Sequence, residues 1–304
     1  MIKKIKTIIS LLSFIVNHPL NQKQKTKTII RFFKWVLNTN FNPYPIVYPF
    51  TEKSKLIVQK GINASLGNLY CGLLEYQEMS FVLHFLRKDD FFIDIGANVG
   101  SYTILASAHV GVKTVSIEPV PATFTHLINN ININGIHEKV NMLNIALGSE
   151  EGTVRFTKNM GAMNHVATDA DTDFIVVPVS TLDNVLRDKN ISGNWINPIV
   201  MKIDVEGFET EVLNGASETL LDNNLKAIII ELNDLCSRYG YEQSLIHKKL
   251  IDIGFAPYQY FPATRELIKK EDLGSNNVIY IRDIEFVNAR VKNAEKVRLP
   301  NNII

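Results

Sequence analysis

Residues 91–103 read FFIDIGANVGSYT. A short apolar run ends in Asp94, Gly96 and Gly100 follow, and a new periodic stretch begins at Ser101, the pattern of a buried strand turning tightly into a helix. Such a turn lets a small molecule lie against bare backbone at a helix N-terminus, where N–H groups and the positive dipole end favour an anionic group. Gly96 and Gly100 remove side chains that would block that approach. Asp94 adds a negative charge that a pyrophosphate-binding loop would not place there, so the expected ligand carries positive charge as well as a carboxylate. The alternative is an ordinary strand-to-helix turn with glycines serving its geometry alone.

The order of elements around this turn sets the fold class. The pattern predicts strands at 91–95, 113–118, 140–146, 199–203 and 227–231. Helices are predicted at 99–109, 122–134, 181–187 and 243–253, with another running from Glu206 to Gly215. Alternation of this kind means an α/β fold, a Rossmann-like doubly wound, mostly parallel sheet. Two extra strands, 153–157 and 173–179, enclose a polar loop at 159–172. The pieces 255–261 and 277–282 alternate like an antiparallel pair, and the polar tail from residue 288 is expected to fray. A loop holding Gly193 and Pro198 precedes the fourth parallel strand.

Such a sheet binds ligands at the carboxyl ends of its strands, where Asp94, Glu118, Asp204 and Glu231 stand, with Asn144 near the end of the third strand. Glu118 lies 22 residues past Gly96, where an acidic side chain can accept hydrogen bonds from ribose hydroxyls. A dinucleotide fingerprint needs three glycines, and this chain has two, as DIGANVG. S-adenosyl-L-methionine meets the same demands: an amine for Asp94, a carboxylate for the turn and a ribose for Glu118.

The segments FIDIGANVGSYT, SIEPVPATFTHLINNININ, NIALG, VSTLDNVL, MKIDVEGFETEVLNGA and IIIELN together resemble the FkbM family of class I methyltransferases. The resemblance spans roughly residues 71–261 and implies an S-adenosyl-L-methionine-dependent methyltransferase acting on a hydroxyl of a sugar, glycan or natural product. By that resemblance Asp94, Gly96, Ala97, Asn98 and Gly100 hold the methionine portion, Glu118 the ribose and Asn144 the adenine.

The stretch KIDVEG at 202–207 is the second informative site. Alternation puts Lys202 and Asp204 on one face of the strand, with Glu206 and Glu209 in the first turn of the next helix. A lysine in a central strand needs a partner, Asp204 or Glu231. Acidic residues suit a first helical turn whatever the function, and Glu209 is read that way. Asp204 and Glu206, at the mouth, are candidate general bases for deprotonating an acceptor hydroxyl, with His165 in the polar loop as a rival. A divalent cation held by Asp204, Glu206 and Glu231 is conceivable, although no metal motif accompanies them. A NAD-dependent oxidoreductase on the same fold and a non-catalytic S-adenosyl-L-methionine-binding or membrane-associated protein remain as alternatives.

Charge sets the first 51 residues apart. Eight basic and no acidic residues fall between Met1 and Thr51, so against a whole-chain charge of +1 the remainder carries −7. The apolar run 8–16 lacks a small-residue cleavage site and falls short of a bilayer span, so neither export nor spanning is expected. Residues 26–37 combine lysines with aromatic and aliphatic side chains, which suits either contact with an anionic membrane surface through residues 1–40 or packing on the domain. Nucleic-acid binding is not expected, because the positive charge is confined to this arm.

Residues 42–49, with Pro43, Pro45 and Pro49, read as an extended linker. The division predicted is an arm at 1–51, a methyltransferase domain at 52–286 and a tail at 287–304. Cys71 and Cys236 have no metal-ligand spacing, and a cytoplasmic protein, peripheral on the inner membrane face through its arm, is the expected setting. A small-molecule, sugar or lipid-linked glycan acceptor is the expected partner.

Overall fold

The computed structural model describes residues 2–42, 44–188, 196–271, 274 and 277–304, so Pro43 and Gly193 lie outside the described residues. The chain opens with two helices, α1 (Ile2–Asn17) and α2 (Lys25–Phe41), then a hairpin of β1 (Ile46–Thr51) and β2 (Ser54–Val58), and the helices α3 (Asn63–Cys71) and α4 (Tyr76–Phe85). The proline-rich stretch expected as a linker therefore contains a strand, paired antiparallel from Ile46 opposite Val58.

The parallel region follows as expected: β3 (Phe91–Ile95), α5 (Ser101–Thr103), β4 (Lys113–Ile117), α6 (Pro121–Asn134) and β5 (Val140–Leu143). Beyond α5 the helix continues as a π-helical segment, Ile104–Val110. Proline at the first position and Gly135 in the left-handed conformation delimit α6, each where its backbone preference fits a helix end. Next come β6 (Ala146–Leu147), β7 (Gly152–Thr157) and β8 (Phe174–Ser180), forming a separate three-stranded sheet in the order β6-β8-β7.

The remaining elements are α7 (Leu182–Arg187), β9 (Ile199–Ile203), α8 (Glu209–Asn214), α9 (Ser217–Leu221), β10 (Leu225–Glu231) and α10 (Gln243–Asp252). After them come β11 (Ala256–Phe261), β12 (Glu266–Lys269), β13 (Asn277–Ile281), α11 (Ile284–Lys292), β14 (Arg298–Leu299) and β15 (Asn302–Ile303).

The main sheet has eight strands in the order β12-β11-β13-β10-β9-β3-β4-β5. Strands β10 to β5 run parallel, while β13, β11 and β12 pair antiparallel along the other edge. This is the Rossmann-like architecture expected. Strand β9 is buried along its whole length because both faces are covered, which is why it reads as a continuous apolar run interrupted only by Lys202. The chain reverses its winding between β3 and β9, so the crevice at their carboxyl ends is the topological switch point.

The tail does not fray. Asp283 caps α11 by accepting from the Phe286 amide at 3.1 Å, and Val287, Val291, Val297 and Leu299 join the main core. Their burial depends on a partner surface far away in sequence, which the polar composition of this stretch does not disclose. The Arg290 guanidinium holds Asp90 with two hydrogen bonds, 2.6 and 3.1 Å, and the Asp90 carboxylate is buried. Burial raises the Asp90 pKa, and Arg290 opposes that rise. The hairpin β14–β15 closes on the N-terminal half, with the Glu52 amide donating to Arg298 O at 2.9 Å and Asn302 Nδ2 to Leu20 O at 3.0 Å.

Arg290→Met keeps side-chain length but leaves Asp90 buried without its hydrogen-bonded cation, with only the weaker pull of Arg87. The expected loss is about 3–5 kcal/mol of unfolding free energy, measured by urea titration; a loss under about 1 kcal/mol would mean that α11 contributes little to the core.

Candidate active site

The turn after β3 is built by its own hydrogen bonds. The amides of Gly96 and Ala97 donate to Ile117 O at 3.0 and 2.9 Å, and the Gly100 amide to Ala97 O at 2.8 Å. Asn98, at φ 52°, donates its amide to Glu118 Oε2 at 2.9 Å, and its side chain accepts from the Val99 amide at 2.8 Å. Thr103 donates its amide (3.0 Å) and its hydroxyl (2.6 Å) to Asp94 Oδ2, tying the strand end to α5.

The two glycines serve the protein's own packing. A Cβ on Gly96, at φ 75°, would lie 1.8 Å from the carbonyl oxygen of Asp204, and one on Gly100, at φ 85°, would lie 2.5 Å from Leu127 Cδ1. Beyond the ligand approach expected from sequence, the bareness of these glycines admits the β9 exit and α6. The amides at 96–100 are likewise engaged internally. Among the described residues, Ser101 and Tyr102, at the start of α5, are the ones in this turn whose amides make no such bond.

Glu118, just past β4, is buried and receives Asn98 N on Oε2 and Val120 N on Oε1. Burial pushes its carboxyl up to about 7, against the pull of those two amides. Asn144 donates Nδ2 to Glu118 O at 2.8 Å and to Pro119 O at 3.0 Å, so it braces the exit of β4 instead of facing the cavity.

Across the crevice, Lys202 stands opposite Asp94 in the β3–β9 register. Its Nζ donates to Asp204 Oδ2 at 2.8 Å and lies 4.9 Å from the centre of the Tyr102 ring. Burial works against the lysine charge, but Asp204, Glu75 and Asp94 outweigh it and hold its pKa above the ordinary range. Tyr102 in turn donates its hydroxyl to Glu75. Asp94 is fully buried, which raises its pKa despite Lys202 nearby.

Glu206 departs from the expected first helical turn: α8 begins at Glu209, and Glu206 stands in the preceding turn at φ 54°. A non-glycine residue in that region stores about 1–3 kcal/mol, a cost found mainly where function holds it. Glu209, by contrast, is structural. Its Oε1 accepts from the Gly207 amide at 3.0 Å, closing the turn.

Asp204, Glu206 and Glu231 bring one oxygen each to within 4.8 Å of one another. Burial, then the neighbouring Asp204 and Glu231 charges, lift Glu206 to about 8, and burial with Asp204 lifts Glu231 to about 7. Glu231 Oε2 is buried without a hydrogen-bond partner. Three oxygens so placed meet the distance requirement of a divalent-cation site and equally that of a cluster sharing protons.

These strand ends line one cavity of about 320 Å³. Asp94, Gly96, Ala97, Asn98, Glu118, Asp204 and Glu206 all line it, while Gly100, Asn144 and His165 do not. His165 is buried with Nδ1 on Met163 O at 2.9 Å and Nε2 at 3.5 Å from Asp171, because the Phe156–Val166 bridge turns it away. Its neighbours Asn164 and Val166 face the cavity instead. Asn63 and Asn68 on α3, Glu75 and Tyr102 also line the cavity, beyond the residues expected from sequence. Tyr102, inside the glycine motif, carried a signal in its position; the others carried none, since only tertiary packing brings them there.

Residues 94–271 match the profile of the methyltransferase FkbM domain. The chain is 28% identical over 159 residues to the hexuronic acid methyltransferase AglP of Haloferax volcanii, an alignment covering 52% of this chain and 62% of that protein. It is 24% identical over 190 residues to methyltransferase 1 of Beauveria bassiana, covering 55% of this chain and 73% of the relative. Among solved structures it is similar to the precorrin-6y C5,15-methyltransferase of Geobacter metallireducens GS-15, at 14% identity and a TM-score of 0.39, covering 77% of this chain and 97% of that one. The last likeness is too distant to bear on the site.

Raised carboxyl pKa values make a stability prediction with a definite sign. Glu118 and Glu231 titrate at about 7 in the fold against an ordinary 4.5, so between those values the folded protein binds more protons than the unfolded chain. Their contribution is therefore fully present below about pH 4.5 and lost as pH rises through about 7. Melting temperature should fall by several degrees between about pH 5.5 and 8, and Glu118→Gln should flatten that slope. A melting temperature that rises over this interval would contradict the assignment.

Proposed function

Because the chain belongs to the FkbM methyltransferase family, we propose that it transfers the methyl group of S-adenosyl-L-methionine to a hydroxyl of a sugar-containing acceptor. One observation carries this reading. Among the described residues, the cavity is lined by six carboxyl side chains, Glu75, Asp94, Glu118, Asp204, Glu206 and Glu231, and a single basic one, Lys202. That surplus is complementary to a ligand bearing an ammonium and a sulfonium, and it would repel the pyrophosphate of a dinucleotide.

The lining fits the cofactor in its other parts. Each Glu118 oxygen accepts one backbone amide and keeps a second lone pair for a ribose hydroxyl. Ile117, Ile145 and Leu147 offer an apolar wall for a flat base, and the amides of Ser101 and Tyr102 suit a carboxylate. When bound, the cofactor supplies an electrophilic methyl group.

The protein's own share is to place an acceptor oxygen and remove its proton. Glu206 is the base we assign: it lines the cavity in a strained conformation, and its carboxyl near pH 8 is matched to a weakly acidic hydroxyl. Lys202 fixes Asp204 beside it. Alignment of the reacting atoms accounts for most of the remaining effect, up to ~7–11 kcal/mol in well-oriented systems. Asn63, at the start of α3, lines the same cavity and is exposed, and an amide of this kind recognises sugar hydroxyls. The similarity to a hexuronic acid methyltransferase supports the same acceptor class.

Transfer from methyl-labelled S-adenosyl-L-methionine should be assayed against acidic glycans, neutral glycans and simple alcohols. Label in a sugar fraction is expected; label only in protein or nucleic acid would refute the acceptor class. Below about pH 8, kcat/KM for the cofactor should rise roughly tenfold per pH unit, with an apparent pKa belonging to the carboxyl cluster. Glu206→Gln should lose about 10²–10⁴ in kcat with cofactor affinity within about threefold. A flat profile, or a fully active Glu206→Gln, would remove Glu206 from the mechanism, and cofactor binding without any turnover would favour a non-catalytic binding protein.

A further inference from the structure

Helix α2 divides into two faces. Thr28, Phe32 and Trp35 are buried, and Phe32 and Trp35 pack with Ile15 of α1 and with Val58, Leu69, Tyr70 and Cys71. Arg31 reinforces this side by donating to Tyr70 O and Asn21 Oδ1. The opposite face carries Ile29, Ile30, Phe33, Val36 and Leu37, all exposed, at the spacing of one helical stripe. Phe33 is 50% and Leu37 59% exposed, and Phe41 at the end of the helix is 87% exposed. From α1, Ile8, Ile9, Leu11 and Phe14 add further exposed apolar side chains.

Charge flanks this stripe. At 100° per residue, Lys27 and Lys34 fall along one border of the α2 stripe and Lys25 along the other, and all three are exposed. No acidic residue occurs anywhere in residues 1–51. Among the described residues, no helix is long and apolar enough to cross a membrane. An apolar stripe bordered by lysines lies in the plane of a lipid–water interface, with the stripe among acyl chains and the amines at the headgroups.

We propose that the exposed face of α2, together with the exposed side chains of α1, docks on an anionic lipid surface. The occupant follows from charge complementarity: lysines on an arm whose sequence carries no acidic residue favour negatively charged headgroups, whereas a second copy would bring like charges together. Helix α3 connects the arm to the cavity, since Asn63 and Asn68 line the cavity while Leu69, Tyr70 and Cys71 receive the buried face of α2. This inference does not depend on the acceptor assigned above.

The test is flotation of the full chain with vesicles of phosphatidylcholine alone and with about one third phosphatidylglycerol added. Binding to the anionic vesicles is expected, falling steeply between about 0.1 and 0.5 M salt. The double variants Phe33→Ser/Leu37→Ser and Lys27→Glu/Lys34→Glu should each weaken binding by about tenfold or more while circular dichroism and melting temperature stay unchanged. Equal binding to both vesicle types, or none to either, would overturn the proposal. So would a wild-type dimer that Phe33→Ser/Leu37→Ser converts to monomer without any flotation, which would assign the face to a second copy.

Discussion

The buried ammonium of Lys202 organises the centre of this molecule. Lys202 is the penultimate residue of a strand covered on both faces, opposite Asp94 across the β3–β9 pair and 2.8 Å from Asp204. A lone charge there would cost several kcal/mol, and removing one partner of such a group typically costs about 3–5 kcal/mol. The carboxylates on both sides are therefore required by the lysine, and the lysine by them. Since β3 and β9 are also where the winding of the sheet reverses, the same interaction fixes the geometry of the ligand crevice. Gly96 completes the arrangement by admitting the Asp204 carbonyl where any Cβ would collide. Strand exit, glycine turn and acidic wall thus form one packed unit.

The excess of carboxyl groups around that ammonium gives the cavity its chemical character. Glu118, Glu206 and Glu231 all titrate near or above neutrality because burial, and beyond it repulsion from Asp204, disfavours their charged forms. A cluster of this kind is destabilised in isolation and relieved by a cationic ligand, so affinity and proton release are linked. The strained backbone at Glu206 points the same way: the cost is held by the surrounding turn, in which Glu209 closes on the Gly207 amide.

Much of this was legible because it is local. Strand alternation put Lys202 and Asp204 on one face, the apolar run into Asp94 marked a buried strand, and the turn chemistry of Gly96 and Gly100 announced a helix start. What the sequence did not disclose depends on contacts between distant segments. The glycines respond to Asp204 and Leu127, the Asn144 amide is drawn to backbone carbonyls behind the site, and a strand bridge turns His165 away. The same holds for the tail, whose valines found a core and whose Arg290 found Asp90, and for Glu75, brought to Tyr102 only by the packing of the helices. Local pattern specified the elements; long-range packing decided which polar atoms remain available.

The central claim is that the acidic cavity is the cofactor site. Calorimetric titration of S-adenosyl-L-methionine at pH 7, repeated in buffers of differing ionisation enthalpy, tests it most directly. The account predicts saturable binding with release of protons, on the order of one per site, as the cationic ligand ionises the shared carboxyl cluster. Absence of binding, or binding with no proton release, would contradict it.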